Sequence, residues 1–489
     1  MNISKKIILP LTLTATLIGC GGGTTPVTTT PVVEASKLFF KPGNVVESVF
    51  DITMTGDQIS LATPIIPTAG DFNNDGHVDV ILSYPGIDNG GQGPHTKKPI
   101  RILAGDSNGN FTDQTTTIIP GGVPENLFTR TVTVADFNGD GADDIFIGDA
   151  NEFNDNQQTW GSDDILLLSN GGGQLVDNSV NFVFTTLSNI DNDQGHYTHG
   201  SEPGDVDGDG DIDLLLSGSV TAGSVVMRND GAGNFTEVTT MATNFNGIGF
   251  DRVGSLWSIF IDADHKDGLD IVNVTSNEFT PGINSHAIFL NNGTEDYTAI
   301  TRVPLPTLPL LVGPPEQTFI IDINSDGWDD LVLLSTLAAD AATNLAFGSN
   351  HYYQIYVNNA DGTGTFTDET ATRFNVINDW TINFTAIAKL VDFNGDGKKE
   401  LAFIVGNAQA AEFKTYVAVN GVMTRFENGI ATSPANYVMA DFNNDGLVDI
   451  LGTLVGNPDI VYIEADAPVV VNADSTISAG IGGTDTTIQ

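Results

Sequence analysis

The sequence is short of cysteine, of cations and of long apolar runs, and each shortage removes a class of function. One cysteine, Cys20, serves all 489 residues. It can form no intrachain disulfide and supply no thiolate zinc cluster. Lys and Arg number 18 against 62 Asp and Glu, a formal net charge of −44. Phosphate backbones are gripped by Lys and Arg, so nucleic acid is excluded as a partner, and so is an anionic membrane surface. No apolar run reaches the ~20 residues that span a bilayer as a helix. No HExxH and no phosphate-binding loop is present. What the chain does have is 40% hydrophobic residues, enough for a large core, and 54 glycines.

Its acidic residues are patterned. "DFNNDGHVD" begins at Asp71, "DFNGDGADD" at Asp136, "DVDGDGDID" at Asp205, "DINSDGWDD" at Asp322, "DFNGDGKKE" at Asp392 and "DFNNDGLVD" at Asp441. A damaged seventh, "DADHKDGLD", begins at Asp262. Successive starts lie 49 to 70 residues apart, a repeat architecture. Each copy is preceded by a β-like run such as "TVTVA" and followed by an apolar one such as "DIFIGD". A third run ends in a Gly/Asn turn ("VVMRNDGAGNF"), and several copies close with "NFTDQT", "NFTEVT" or "TFTDET". The expected fold is therefore all-β: four-stranded antiparallel blades, with the acidic loop between the first and second strands. Seven of them form a seven-bladed β-propeller. "VFDITMTGD" (Val49 to Asp57) looks like a fourth strand without a blade, and it is expected to pair with the last blade and close the ring.

Within each loop, Asp or Asn at positions one, three and five presents hard oxygens, and Gly at six permits the turn. Such ligands suit calcium. An EF-hand needs Glu at position twelve; here that position holds Leu82, Ile147, Leu216, Leu333, Phe403 and Gly452. EF-hands are excluded, and the last carboxylate falls at nine. Without a cation, carboxylates this close raise one another's pKa.

The D-x-[DN]-x-D-G-x-x-[DE] core with its N-x-G-x-G-x-F-T turn resembles the FG-GAP/VCBS repeats of integrin-α-type propellers, over roughly residues 45 to 465. The resemblance implies side-chain calcium ligands at positions one, three, five and nine and a carbonyl at seven. These are Asp71, Asn73, Asp75 and Asp79; Asp136, Asn138, Asp140 and Asp144; Asp205, Asp207, Asp209 and Asp213; Asp322, Asn324, Asp326 and Asp330; Asp392, Asn394, Asp396 and Glu400; and Asp441, Asn443, Asp445 and Asp449. About six structural calcium ions are implied, in the weak range of about 10⁻⁴ to 10⁻³ M typical of extracellular modules. In the damaged copy, Lys266 stands at position five. Its ammonium is expected to replace the metal among Asp262, Asp264 and Asp270; the alternative is a distorted site that still takes calcium.

The start of the chain carries a second resemblance. Lys5 and Lys6 precede an apolar stretch, Ile7 to Ile18, that ends in "LIGC" and is followed by "GGGTTPVTTTPV". This resembles the lipobox of bacterial lipoproteins. It implies cleavage before Cys20, lipidation of Cys20 and, with Gly21 next, an outer-membrane or cell-surface anchor. Residues 1–19 are then the signal peptide, 20–36 a flexible linker, 37–466 the propeller and 467–489 a tail.

Loops opposite the acidic ones are long and varied, and rigid scaffolds commonly recognise ligands through such loops. Trp160, His196, Tyr197, His199, Arg252, Trp257 and Trp380 lie in or beside them, with Arg302, a set able to stack on sugars and bond hydroxyls or carboxylates. The alternative is that the tryptophans fill gaps between blades. Three roles follow as expectations: a calcium-stabilised surface module that binds a glycan or protein, a lyase-like polysaccharide enzyme on the same scaffold, or an envelope assembly protein.

Overall fold

The computed structural model describes residues 39–40 and 44–45, most of 66–466, and the strands Val469–Val471 and Ile477–Ala479. Within 66–466 the undescribed segments are 84–96, 127–128, 150–163, 185–197, 219–223, 239–254, 276–285, 294–300, 307–311, 338–350, 374–387, 393–398, 406–411, 427–433 and 455–456.

The apolar run after each acidic loop decides the architecture. Asp79–Ser83, Asp144–Asp149 and Asp213–Gly218 are buried along their whole length. A strand covered on both faces must lie inside a stack of sheets. Each such strand pairs antiparallel with the strand before its loop and with a third strand beyond it, as Asp144–Asp149 does with Thr129–Ala135 and Ile165–Ser169. Seven sheets built this way follow one another, with first strands at Ile66–Gly70, Thr129–Ala135, Thr198–Gly204, Ser255–Ile261, Val312–Ile321, Ala388–Val391 and Pro434–Ala440 (blades 1 to 7).

The core lies in the seams. Side chains alternate along each second strand, so Ile145 and Ile147 face blade 1 while Phe146 faces blade 3. The ring closes between blades 7 and 1, where Val438 and Leu451 pack with Val80 and Leu82. Phe442, at position two of the last loop, meets Phe111 of blade 1 edge to face, with ring centroids 5.4 Å apart. Phe137 of blade 2 meets Phe235 of blade 3 in the same way at 5.5 Å. The aromatic in "NF" of one blade thus caps the loop of the blade before it.

The N-terminal segment contributes a strand to the last blade. Asn44–Val45 pairs antiparallel with Tyr462 and Val461 of blade 7 and is its fourth strand; Val49–Asp57 lies outside the described residues. Blade 3 also has a fifth strand. Phe182–Val183, from the connection leaving blade 2, runs parallel to Phe235–Thr236 at its outer edge. The "FTDxT" endings turn into single helical turns at Thr115–Ile118 and Thr370–Arg373. The cause is local: Thr115 Oγ1 donates to Asp113 Oδ1 (2.6 Å) and accepts the Ile102 amide (2.9 Å), and Thr370 does the same with Asp368 and Ile355. Within the expected tail, Val469–Val471 pairs with Ile477–Ala479.

Candidate metal centres on the acidic loops

Each loop is wound by its own side chains. In blade 1 the Asp75 amide donates to Asp71 Oδ1 (3.0 Å) and Asn73 Oδ1 (2.9 Å), the Gly76 amide to Asp71 Oδ2 (2.8 Å), and the His77 amide to Asp75 Oδ1 (2.9 Å). Blades 2, 5 and 7 repeat the pattern through Asp136, Asn138 and Asp140, through Asp322, Asn324 and Asp326, and through Asp441, Asn443 and Asp445. Position six needs a left-handed backbone, with φ +84° at Gly141, which glycine takes without a Cβ clash. The same bonds gather the oxygens of positions one, three and five on one small loop.

Position nine is anchored more deeply than its sequence spacing implies. Asp79, Asp144, Asp213, Asp270, Asp330 and Asp449 are all fully buried. One oxygen of each accepts the amide of position two, as from Phe137 (2.7 Å) and Val206 (3.0 Å). The other accepts an amide from the end of the third strand, as from Ser169 (2.6 Å) and Asn229 (2.8 Å). Position nine therefore staples the loop to the sheet. Burial pushes all six carboxyls up to about 7, their loop neighbours add to the effect, and the amide bonds oppose it.

These donors fit a hard cation. Asp205, Asp207 and Asp209 each bring an oxygen within 4.8 Å of the others, and so do Asp262, Asp264 and Asp270. Anionic oxygens at that spacing match calcium, whose ligands stand about 2.3–2.6 Å from the ion. In blade 3 an arginine competes, with Arg228 Nε 2.9 Å from Asp207 Oδ2. In blade 6, Asp392 is buried, whereas Asn394, Asp396 and the side chain of Glu400 lie outside the described residues.

The damaged loop keeps the frame. Asp270 accepts the Ala263 and Asn291 amides (2.8 and 2.7 Å) as its counterparts do. Lys266 does not fill the three-carboxylate group as expected. Its ammonium donates to Gly362 O in blade 5 and stands 3.7 Å from Asp264 alone, with the side chain 56% exposed. A long stem on an exposed loop reaches the neighbouring blade more easily than it folds back.

Contacts between loops, missed at the sequence level, knit the blades together. Asp143 at position eight of blade 2 accepts the Asp71 amide of blade 1 (2.6 Å), and Asp329 of blade 5 accepts that of Asp262. His265 stacks on Trp328 at 3.7 Å, and Asn444 bonds His77 at 2.9 Å, in both cases position four against position seven of the next loop. The first Asn of each Asn-rich turn reaches back: Asn229, Asn291 and Asn358 donate to Phe137 O, Val206 O and Ala263 O (2.7, 3.0 and 2.9 Å). The recurring Asn was the available signal, but turn chemistry alone accounts for an Asn there. "GDSNG" at Gly105 to Gly109 has the G-x-S-x-G spacing of a nucleophile elbow. It forms the tight turn between third and fourth strands, wound on Asp106, not a strand-to-helix turn.

Of the expected ligand-face residues, Trp160, His196, Tyr197, Arg252 and Trp380 lie outside the described residues. His199 is on the first strand of blade 3, and Trp257 on that of blade 4, opposite Val274. Arg302 belongs elsewhere: it sits on the outermost strand of blade 4, paired with Phe289.

No curated protein matches the chain. Among solved structures, the fold is similar to Trypanosoma rangeli sialidase at 11% identity and a TM-score of 0.33, over 82% of this chain and 54% of that one. The chain thus spans about half the length of that protein. The family model of the FG-GAP-like repeat matches residues 71–147, the first loop through the second. With seven sheets of one build closed in a ring, the chain is a seven-bladed β-propeller whose first two acidic loops match the FG-GAP-like repeat.

Proposed function

We propose that this propeller is a calcium-stabilised binding module of the bacterial cell envelope, tethered by lipid on Cys20, that presents its loops opposite the acidic ones to a glycan or protein. The observation that carries the calcium reading is the convergence of carboxylates above buried position-nine aspartates whose pKa lies near 7. A divalent ion there offsets the mutual repulsion and holds each blade's first hairpin to its third strand. The lipobox-like "LIGC" supports the tether, and the length and variety of the opposite loops support recognition.

Chelation tests the metal. Added EDTA lowers the melting temperature at neutral pH, and millimolar calcium restores it; a melting curve that EDTA leaves unmoved removes calcium from the account. A glycan array probed with and without calcium, beside a pull-down from envelope extract, tests the partner. Binding that needs neither calcium nor a folded propeller counts against the module.

A further inference from the structure

Exposed apolar side chains gather on one stretch of the outer rim. Among the described residues the large hydrophobic side chains left exposed are Val176, Val180 and Val183, at 54%, 85% and 47%. All three lie where the chain passes from blade 2 to blade 3. Val176 is on the outermost strand of blade 2 (Leu175–Asp177), and Val183 is on that of blade 3 (Phe182–Val183). The turn Ser179–Asn181 between them carries Val180. Each strand is the last of its sheet, so its outer backbone edge pairs with no strand among the described residues.

The repeat does not call for valine here. Fourth strands of blades 1, 3 and 5 read Phe-Thr-Asp or Phe-Thr-Glu, and Thr112, Thr236 and Thr367 hold the exposed position that Val176 takes. Valine at an open strand edge invites pairing with another chain, which sequences ordinarily discourage with charge or proline. Half-buried Phe182 and Phe184, with ring centroids 5.5 Å apart, extend the apolar surface beside Val183.

The charge around the rim selects the partner. From Thr131 to Met227 the sequence holds 18 Asp and Glu and no Lys or Arg. On blade 1 the rim aspartate Asp113 is paired with Arg101 of the adjoining strand. By strand register its counterpart in blade 2 is Asp177, and that of Arg101 is Ile165. Asp177 is exposed, and its Oδ1 accepts the Ser179 amide (2.9 Å) and hydroxyl (2.6 Å), which leaves Oδ2 open to a cation from outside. A second copy of the chain would bring the same carboxylates to the contact, and an anionic membrane would be repelled by them.

We propose that the rim over residues 175–183 docks an extended, Lys- or Arg-bearing segment of another polypeptide. Its apolar side chains cover the three valines, its backbone adds to an open strand edge, and its cation meets Asp177. Main-chain bonds supply affinity in such strand addition, and alternate side chains supply selectivity. The surface is separate from the loops opposite the acidic ones and goes beyond the role proposed for them.

The test is fluorescence anisotropy of short labelled peptides with the full chain, in millimolar calcium so that the acidic loops are not competing for lysine. A peptide of alternating valine and lysine binds at least about tenfold more tightly than one of alternating serine and lysine, a gain that burying one valine supplies. A valine–glutamate peptide does not bind, and N-methylation of alternate amides removes the valine–lysine binding. The variant carrying Val176→Thr, Val180→Thr and Val183→Thr binds the valine–lysine and serine–lysine peptides alike, with its melting temperature kept, since all three side chains are exposed. Val176→Thr alone, the residue of the sister blades, serves if the triple variant does not fold. Equal affinity of wild type for the two lysine peptides, unchanged valine–lysine binding in the variants, or binding that survives N-methylation overturns the proposal. A wild-type dimer in sedimentation that the triple variant dissolves gives the rim to a second copy and overturns it too.

Discussion

Replacing Asp213 by asparagine reverses the sign of its effect on stability when calcium is removed. Asp213 is fully buried at the end of the blade 3 loop, and burial lifts its carboxyl from 3.8 to about 7. In the unfolded chain it ionises near 3.8, so above that pH the unfolded state gains what the folded state does not. The stabilising contribution is complete below about 3.8, declines as pH rises and is gone above about 7. The loss amounts to about 4 kcal/mol at the upper end. Asparagine is neutral throughout and escapes it. The substitution has its own cost, because one amide oxygen cannot serve both the Val206 and Asn229 N–H groups (3.0 and 2.8 Å); that is about 1–3 kcal/mol.

In EDTA at a pH of about 8, Asp213→Asn is therefore more stable than wild type by about 1–3 kcal/mol, while near pH 4.5 it is less stable. In millimolar calcium near pH 8 it is again less stable, since the ion rewards the carboxylate. Urea unfolding followed by far-UV circular dichroism reads all of these conditions. One uniform shift of the midpoint across them would refute the reasoning, because no ionisation or metal would then be linked to this group. Six carboxylates share the arrangement, so the same reversal is expected at the position-nine aspartate of each of these blades.

Asn358→Ala removes the bond from blade 5 to Ala263 O and leaves a buried carbonyl unpaired; a loss of about 1–3 kcal/mol, equal with calcium and with EDTA, is expected in urea titrations. Gly173→Ala is worse than a helix-surface change of the same size. Its φ is +80°, and a Cβ would stand 2.5 Å from Asn73 O of blade 1, so the melting temperature falls and the loss appears in both metal states. If Cys20 carries the proposed lipid, Cys20→Ser is expected to move the chain expressed in bacteria from the detergent phase to the aqueous phase in a partition assay, with the melting temperature of the propeller unchanged.

The acidic frame and the runs beside it were legible because both are local. Asp at one, Gly at six and Asp at nine wind a loop through bonds spanning two to seven residues, and "DIFIGD" is buried end to end in any stacked sheet. Lys266 was misplaced because its partner, Gly362 O, lies 96 residues away. Asn229, Asn291 and Asn358 read as turn formers, and they are; their side-chain amides act across seams that no spacing in one repeat reveals. Likeness points to Val49 to Asp57 as a closing strand, a segment outside the described residues, while Asn44–Val45, which carries no such likeness, pairs with Tyr462 and Val461 of blade 7.

The sequence by itself determined the blade count, the strand order within a blade and the loop chemistry, since a repeat writes its local bonding out several times over. Only the tertiary structure decided how blades meet: Phe442 on Phe111, Asp143 on the Asp71 amide, and Ser224 on Ser258. The physical reason is distance along the chain. Contacts within a loop are set by backbone geometry over a few residues, whereas a seam joins residues tens to hundreds of positions apart, and closure of the ring determines which of them touch.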